Sequence, residues 1–94
     1  MYNLNMDIIK KYKEVLLMVE HKDCNKCKIM YPIIDNLSND HNIFIIDVDK
    51  NKIFINGIDI KNEQMPVFLY FNDGVFIKFF DGIKTKEELL EIFN

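Results

Sequence analysis

The spacing of hydrophobic positions changes several times along the chain, and each change marks an element. Val15-Leu16-Leu17-Met18-Val19 is an unbroken apolar run, the pattern of a strand buried on both faces, and it predicts a strand over 15–20. From Cys27 the period lengthens. Cys27, Ile29, Met30, Ile33, Ile34 and Leu37 recur every three or four residues, which predicts a helix with one apolar stripe. Pro32 falls inside that helix and is expected to kink it, because it removes a backbone donor and crowds the preceding turn. Ile43-Phe44-Ile45-Ile46-Asp47-Val48 reads as a second buried strand. Between Lys50 and Ile60, Ile53, Phe54 and Ile58 stand at near-helical spacing, and a short helix is expected despite their β propensity and Gly57. Val67–Phe71, the turn Asn72-Asp73-Gly74 and Val75–Phe80 form a hairpin pattern, ended by Asp81-Gly82. Thr85 followed by Glu88 makes a capping box ahead of Leu89, Leu90 and Phe93. A first helix is expected over 7–13, from Ile8, Ile9 and Tyr12. There is no repeat, linker or low-complexity tract.

Composition narrows the class. The 94 residues suffice for a single domain, 1–94, and 49 % hydrophobic content is too high for a disordered chain. Fifteen acidic residues against twelve lysines leave a charge of −3 with no basic stripe, which argues against nucleic acid as a partner. Apolar runs of four or five residues are far below the roughly 20 needed to cross a bilayer, so no membrane role is expected. The opening Met1-Tyr2-Asn3-Leu4-Asn5-Met6-Asp7 lacks a basic and then hydrophobic leader pattern, and a cytoplasmic location is expected. Alanine, arginine and tryptophan are absent while Ile, Asn and Lys dominate, a bias read as that of an AT-rich genome.

The chemistry concentrates in Cys24-Asn25-Lys26-Cys27. A bridge across so short a loop constrains the unfolded chain little, so a structural staple is a poor explanation. In a cytosolic chain this spacing indicates redox chemistry or half of a metal site. The further ligands for zinc would be His21, His41 or carboxylates, and a second chain would be needed to complete it. Cys24 stands where a strand gives way to a helix N-terminus.

The order α, β, α, β, α, β, β, α with CxxC after the first strand resembles the thioredoxin-fold family, over about residues 15 to 94. The resemblance rests on Cys24-Asn25-Lys26-Cys27-Lys28, Pro32, Met65-Pro66 before the hairpin, Asn72-Asp73-Gly74 at its turn and Gly82 after it. Among small thioredoxin-like and glutaredoxin-like proteins it is closer to thioredoxins. Met65-Pro66-Val67 stands where glutaredoxins carry Thr-Val-Pro, and Asp81-Gly82 where they carry Gly-Gly, so glutathione recognition is not implied. The resemblance implies an α/β fold with a mixed four-stranded sheet, ordered 43–48, 15–20, 67–71, 75–80, flanked by helices. The extra N-terminal strand of full-length thioredoxins would be lacking, since too few residues precede Val15. It also implies a cis Pro66 against the active-site disulfide.

By the same resemblance the protein is a thiol–disulfide oxidoreductase working through a Cys24/Cys27 dithiol–disulfide cycle, with no cofactor beyond that disulfide and no metal. Cys24 would attack and Cys27, more buried, would resolve. The helix N-terminus, Lys22, Lys26, Lys28 and a protonated His21 favour the Cys24 thiolate, while Asp23 opposes it. Asn25, Lys26, Met65 and Pro66 would bind an extended substrate strand. Expected partners are protein disulfides and a thioredoxin-reductase-like electron donor, with the chain a monomer. Asp23 departs from the family's Trp. Met18 and Ile45 replace its buried Asp and Lys, a double loss that leaves no unpaired buried charge, and Glu20 becomes the candidate for proton transfer. Tyr31 and Met30 read as packing, His21 as a loop histidine, and Lys50, Lys52 and Lys61 as a solvated face. The competing class is a non-enzymatic, redox-sensing or protein-binding module on the same fold.

Overall fold

The computed structural model describes residues 6–93. In chain order these form α1 (Met6–Lys11), β1 (Glu14–Glu20), α2 (Asn25–Leu37), β2 (Ile43–Asp47), β3 (Phe54–Ile55), β4 (Ile58–Asp59), a 3-10 turn (Ile60–Asn62), β5 (Val67–Asn72), β6 (Val75–Asp81) and α3 (Lys86–Ile92). The main sheet is ordered β2-β1-β5-β6, the order expected from the sequence. β1 and β2 run parallel, with Leu16 opposite Ile43 and Glu20 opposite Asp47. β1 and β5 run antiparallel, with Val15 opposite Phe71 and Val19 opposite Val67.

Burial explains why the two central strands read as unbroken apolar runs. Every residue of Val15–Val19 and Val67–Phe71 is buried, because both sheet faces are covered. Ile9 of α1, Met30, Ile34 and Leu37 of α2, and Leu89 and Ile92 of α3 complete the same core. α2 runs through Pro32 as one continuous helix. Its buried stripe, Cys27, Met30, Ile34 and Leu37, keeps the three- and four-residue spacing of a helix face. α3 starts at the expected capping box. Glu88 N–H donates to Thr85 Oγ1 at 3.1 Å and Thr85 N–H to Glu88 Oε1 at 2.9 Å; the bond from Thr85 N–H, foremost, holds the Glu88 carboxyl below its ordinary range.

At the end of the sheet away from the cysteines, Tyr70 donates to Glu14 at 2.7 Å. Phe93 lies between rings there, stacked on His41 at 4.2 Å and edge-on to Tyr70 at 5.9 Å.

Two expectations change. The segment 50–60 is not a helix but a two-stranded ribbon, with Phe54 opposite Asp59 and Ile55 opposite Ile58. Asn56 and Gly57 both take positive φ, 51° and 81°, the backbone of a tight hairpin turn that Asn-Gly supplies at low strain. Ile53 and Ile60 are buried at its base, where Ile60 N–H donates to the Ile53 carbonyl at 3.0 Å. α1 ends at Lys11 rather than Lys13 because Lys13 has left the helix and its carbonyl accepts from Asp73 N–H at 2.7 Å. That bond ties the approach to β1 to the β5–β6 turn, whose Asp73 and Gly74 also take positive φ. Further along, β6 pairs Lys78 with Tyr70 and Phe76 with Phe71, so Ile77 is an extra residue and the strand carries a bulge.

Gly57→Ala is expected to cost about 1–2 kcal/mol, the strain of a left-handed backbone. Gly74→Ala should cost more, since its Cβ would also stand 2.8 Å from Lys10 Cγ. Urea denaturation of the two variants checks that order, and equal losses would show that Lys10 moves aside freely.

Candidate active site

β1 stops at Glu20, whose carbonyl accepts from Val48 N–H at 2.8 Å, the last tie between the two parallel strands. The loop that follows is held from β2's side. Lys22 N–H donates to Asp49 Oδ2 at 2.9 Å, and Asp49 N–H to Asp47 Oδ1 at 2.8 Å. His21 is exposed, and its Nδ1 donates to the Lys22 carbonyl at 2.6 Å. Asp23 takes φ 63°, a conformation that Asp and Asn tolerate better than most side chains. Through that reversal the chain enters α2 with Cys24 as its N-cap.

The cap is the chemical centre. An N-cap side chain accepts a hydrogen bond from one of the helix's unpaired N–H groups, a task usually given to Ser, Thr, Asp or Asn. Here Cys27 N–H donates to Cys24 Sγ at 3.1 Å, while Lys28 N–H reaches the Cys24 carbonyl at 3.3 Å. Cys24 and Cys27 are joined as a disulfide with Cα atoms 5.3 Å apart. Cys24 keeps 6 % of its surface and Cys27 none, so Cys24 is the more accessible of the two. The Cys27 N–H and the positive end of the helix face the Cys24 sulfur.

The other residues expected at the site are arranged as follows. Asn25 and Lys26 are exposed on the first turn of α2. The Met65–Pro66 peptide bond is cis, and both residues are buried. Because Val67 pairs with Val19, this bond sits at the same end of the sheet as Glu20 and the cysteine loop. The Pro66 carbonyl accepts from Gly82 N–H at 2.9 Å, so the end of β6 anchors it from behind. Neither backbone group of Met65 has a hydrogen-bond partner among the described residues. Met18 is fully buried and stands in register opposite Ile45, which is 41 % exposed on the outer strand; the two apolar replacements are cross-strand neighbours. Among the described residues no group of three or more His, Cys, Asp or Glu could hold a metal ion, and no helix is long and apolar enough to cross a membrane. A cleft of about 260 Å³ lies between β6 and α3, lined by Lys78, Phe80, Lys84, Glu88, Glu91 and Ile92. None of these belongs to the cysteine loop.

One contact had no counterpart in the sequence reading. Glu20, half-buried at the end of β1, accepts a hydrogen bond from the Tyr31 hydroxyl on α2. The Tyr31 hydroxyl is pushed up to about 12, first by that bond, then by burial, then by the charge of Glu20. The available signal was the four-residue step from Cys27 to Tyr31, which places both on nearly one side of the helix.

Comparison with known proteins agrees with this geometry. The chain matches the family model for thioredoxin over residues 2–94. It is 29 % identical over 73 residues to a thioredoxin of Staphylococcus saprophyticus, spanning 73 % of this chain and 68 % of that one. Among solved structures, it is similar to a mutant thioredoxin from Halobacterium salinarum NRC-1, with a TM-score of 0.76 at 20 % identity, covering 92 % of this chain and 76 % of that one. It is also similar to a chain from a study of thiol resolution in a yeast mitochondrial 1-Cys peroxiredoxin through glutathione and thioredoxin systems, with a TM-score of 0.68 at 22 % identity, covering 92 % and 81 %. These two likenesses speak to the fold; the family match, running over nearly the whole chain and including both cysteines, shows that the protein belongs to the thioredoxin family.

Proposed function

We propose that the protein reduces protein disulfides through a Cys24/Cys27 dithiol–disulfide cycle. Family membership and the close cysteine pair support a thiol–disulfide oxidoreductase role. The observation that carries the mechanism is the bond from Cys27 N–H to Cys24 Sγ, which places the more accessible sulfur at the N-cap of α2. Cys24 thiolate attacks one sulfur of a substrate disulfide; that S–S bond breaks, and the other substrate sulfur leaves as a thiolate and takes a proton. The Cys27 thiol then loses its proton and its sulfur attacks Cys24. The mixed disulfide breaks, the first substrate sulfur leaves with the electron pair, and two electrons have passed to the substrate. Glu20 is the proton acceptor in this second step.

The substrate docks as an extended strand. Met65, with its backbone groups unused, supplies hydrogen bonds beside the cis peptide, and Asn25 and Lys26 border the attacking sulfur. The oxidised protein is returned to the dithiol by a thioredoxin-reductase-like donor, in a cytoplasmic setting that keeps thiols reduced. The disulfide is its only redox group, and the chain acts as a monomer.

Insulin reduction in dithiothreitol is the first test. Wild type is expected to precipitate the insulin B chain well ahead of the background reaction, and Cys24→Ser to fall to background. A wild type no faster than dithiothreitol alone would end the enzyme reading in favour of a binding module. The assignment of roles is checked separately by partial alkylation of the reduced protein. Iodoacetamide is expected to label Cys24 first, and Cys27→Ser should accumulate a mixed disulfide at Cys24; preferential labelling of Cys27 would reverse the roles.

A further inference from the structure

Glu20 and Tyr31 belong to the two elements that meet at the cysteine loop. Glu20 ends β1, four residues before Cys24, and Tyr31 lies on α2, four residues after Cys27. A four-residue step returns to almost the same side of a helix, and helical side chains lean toward the N-terminus, so Tyr31 and Cys27 share nearly one side of α2. The Tyr31 hydroxyl donates to the Glu20 carboxylate, which ties the end of β1 to α2 one turn beyond Cys27. The tyrosine proton is held tightly, with its loss pushed up to about pH 12. Across the neutral range Tyr31 is therefore a donor and Glu20 can only be the acceptor.

The other charged groups around Glu20 are committed elsewhere or face solvent. Opposite it on β2, Asp47 accepts from Asp49 N–H, and Asp49 accepts from Lys22 N–H. In the loop, His21 donates to a backbone carbonyl and Asp23 is exposed, as are Lys22 and, on α2, Lys26 and Lys28. On β5 the nearest register partner is Val67, across from Val19. Tyr31 is thus the only side chain among the described residues that hydrogen-bonds Glu20.

We propose that Tyr31 is a positioning residue for the resolving half of disulfide exchange, its hydroxyl fixing the Glu20 carboxylate at the Cys27 turn so that Glu20 takes the Cys27 thiol proton. The proposal rests on the oxidoreductase reading above and deepens it. In the step, the proton passes from Cys27 Sγ to Glu20 as Cys27 Sγ bonds to Cys24 Sγ. The bond between Cys24 and the substrate sulfur breaks, its electron pair leaves on that sulfur, and solvent later removes the proton from Glu20. A hydroxyl donor favours the ionised form of a carboxylate. Removing it leaves the Glu20 side chain without its only side-chain hydrogen bond among the described residues and free to change rotamer.

Stopped-flow reaction of the reduced protein with 5,5′-dithiobis(2-nitrobenzoate) separates the two halves, because attack by Cys24 and resolution by Cys27 each release one coloured thiolate. In Tyr31→Phe the first release is expected to match wild type, while the second slows several-fold at neutral pH. Glu20→Gln should slow the second release at least as much and flatten its pH profile, and the double variant should be no slower than Glu20→Gln alone. A wild-type second release in Tyr31→Phe overturns the proposal. So does a double variant slower by the product of the single effects, since the two residues would then act separately. Absence of a first release in wild type would instead sink the oxidoreductase reading.

An activity-independent readout keeps the contact itself open to refutation. In an absorbance titration at 295 nm, the tyrosine that ionises at about pH 12 is expected to vanish in Tyr31→Phe and to move down toward pH 10 in Glu20→Gln. An unmoved transition in Glu20→Gln overturns the pairing. The sign carries to stability: the folded state holds this proton more tightly than the unfolded chain, so the pair's contribution is intact below about pH 10 and is lost as pH climbs to about 12.

Discussion

β1 lies in the middle of the molecule with β5 along one side, and the ten buried residues of Val15–Val19 and Val67–Phe71 form the pairing on which every other element rests. Each large side chain removed from water in this pair contributes roughly 1.5–3 kcal/mol. Net stabilities of small domains are only about 5–15 kcal/mol, so no arrangement of the helices could offset the loss of this register. Antiparallel pairing also decides where the chemistry stands. It brings the end of β1, leading into Cys24, and the start of β5, preceded by the cis Met65–Pro66 bond, to one edge of the sheet. Two segments about forty residues apart in the chain thereby form one site, positioned by the most rigid part of the fold.

What was legible beforehand follows from what makes a local signal. β1 and β5 were readable because double-sided burial leaves no polar residue within their cores, β2 because its apolar run persists although it is an outer strand with Ile45 exposed, and α3 because Thr85 and Glu88 satisfy each other's backbone groups across three residues. The cysteine site was readable because its chemistry is packed into four consecutive positions. Residues 50–60 were misread because Ile53, Phe54 and Ile58 satisfy a helical spacing by coincidence. Asn56-Gly57, a stronger signal, identifies the turn once its two positive φ angles are considered. The Glu20–Tyr31 contact was beyond a linear reading. It depends on which face of β1 lies under α2, a fact settled by the packing of Met30, Ile34 and Leu37 and not by any spacing between residues 20 and 31.

The site departs from its family in a coherent direction. Met18 and Ile45 face each other across β1 and β2, so the apolar exchange is a paired one and leaves no orphaned charge in the sheet. In the proposed mechanism the polar function falls to the sheet's end, where Glu20 is half-buried and its partner is a neutral hydroxyl. A carboxylate there avoids most of the desolvation cost of the interior. Asp23, in the left-handed turn before the cap, is a short side chain suited to the backbone it must adopt.

The bulge in β6 bears on how the protein behaves at high concentration. β6 is an outer strand, and it presents Val75 and Ile77 at 60 % and 49 % exposure; an edge of this kind ordinarily invites another chain to add to the sheet. Because Ile77 is the inserted residue, the strand's alternation breaks between Phe76 and Lys78, and an incoming strand meets two short, out-of-phase segments instead of one seven-residue template. An irregularity that costs the hairpin a regular ladder thus protects the molecule from growing edge to edge.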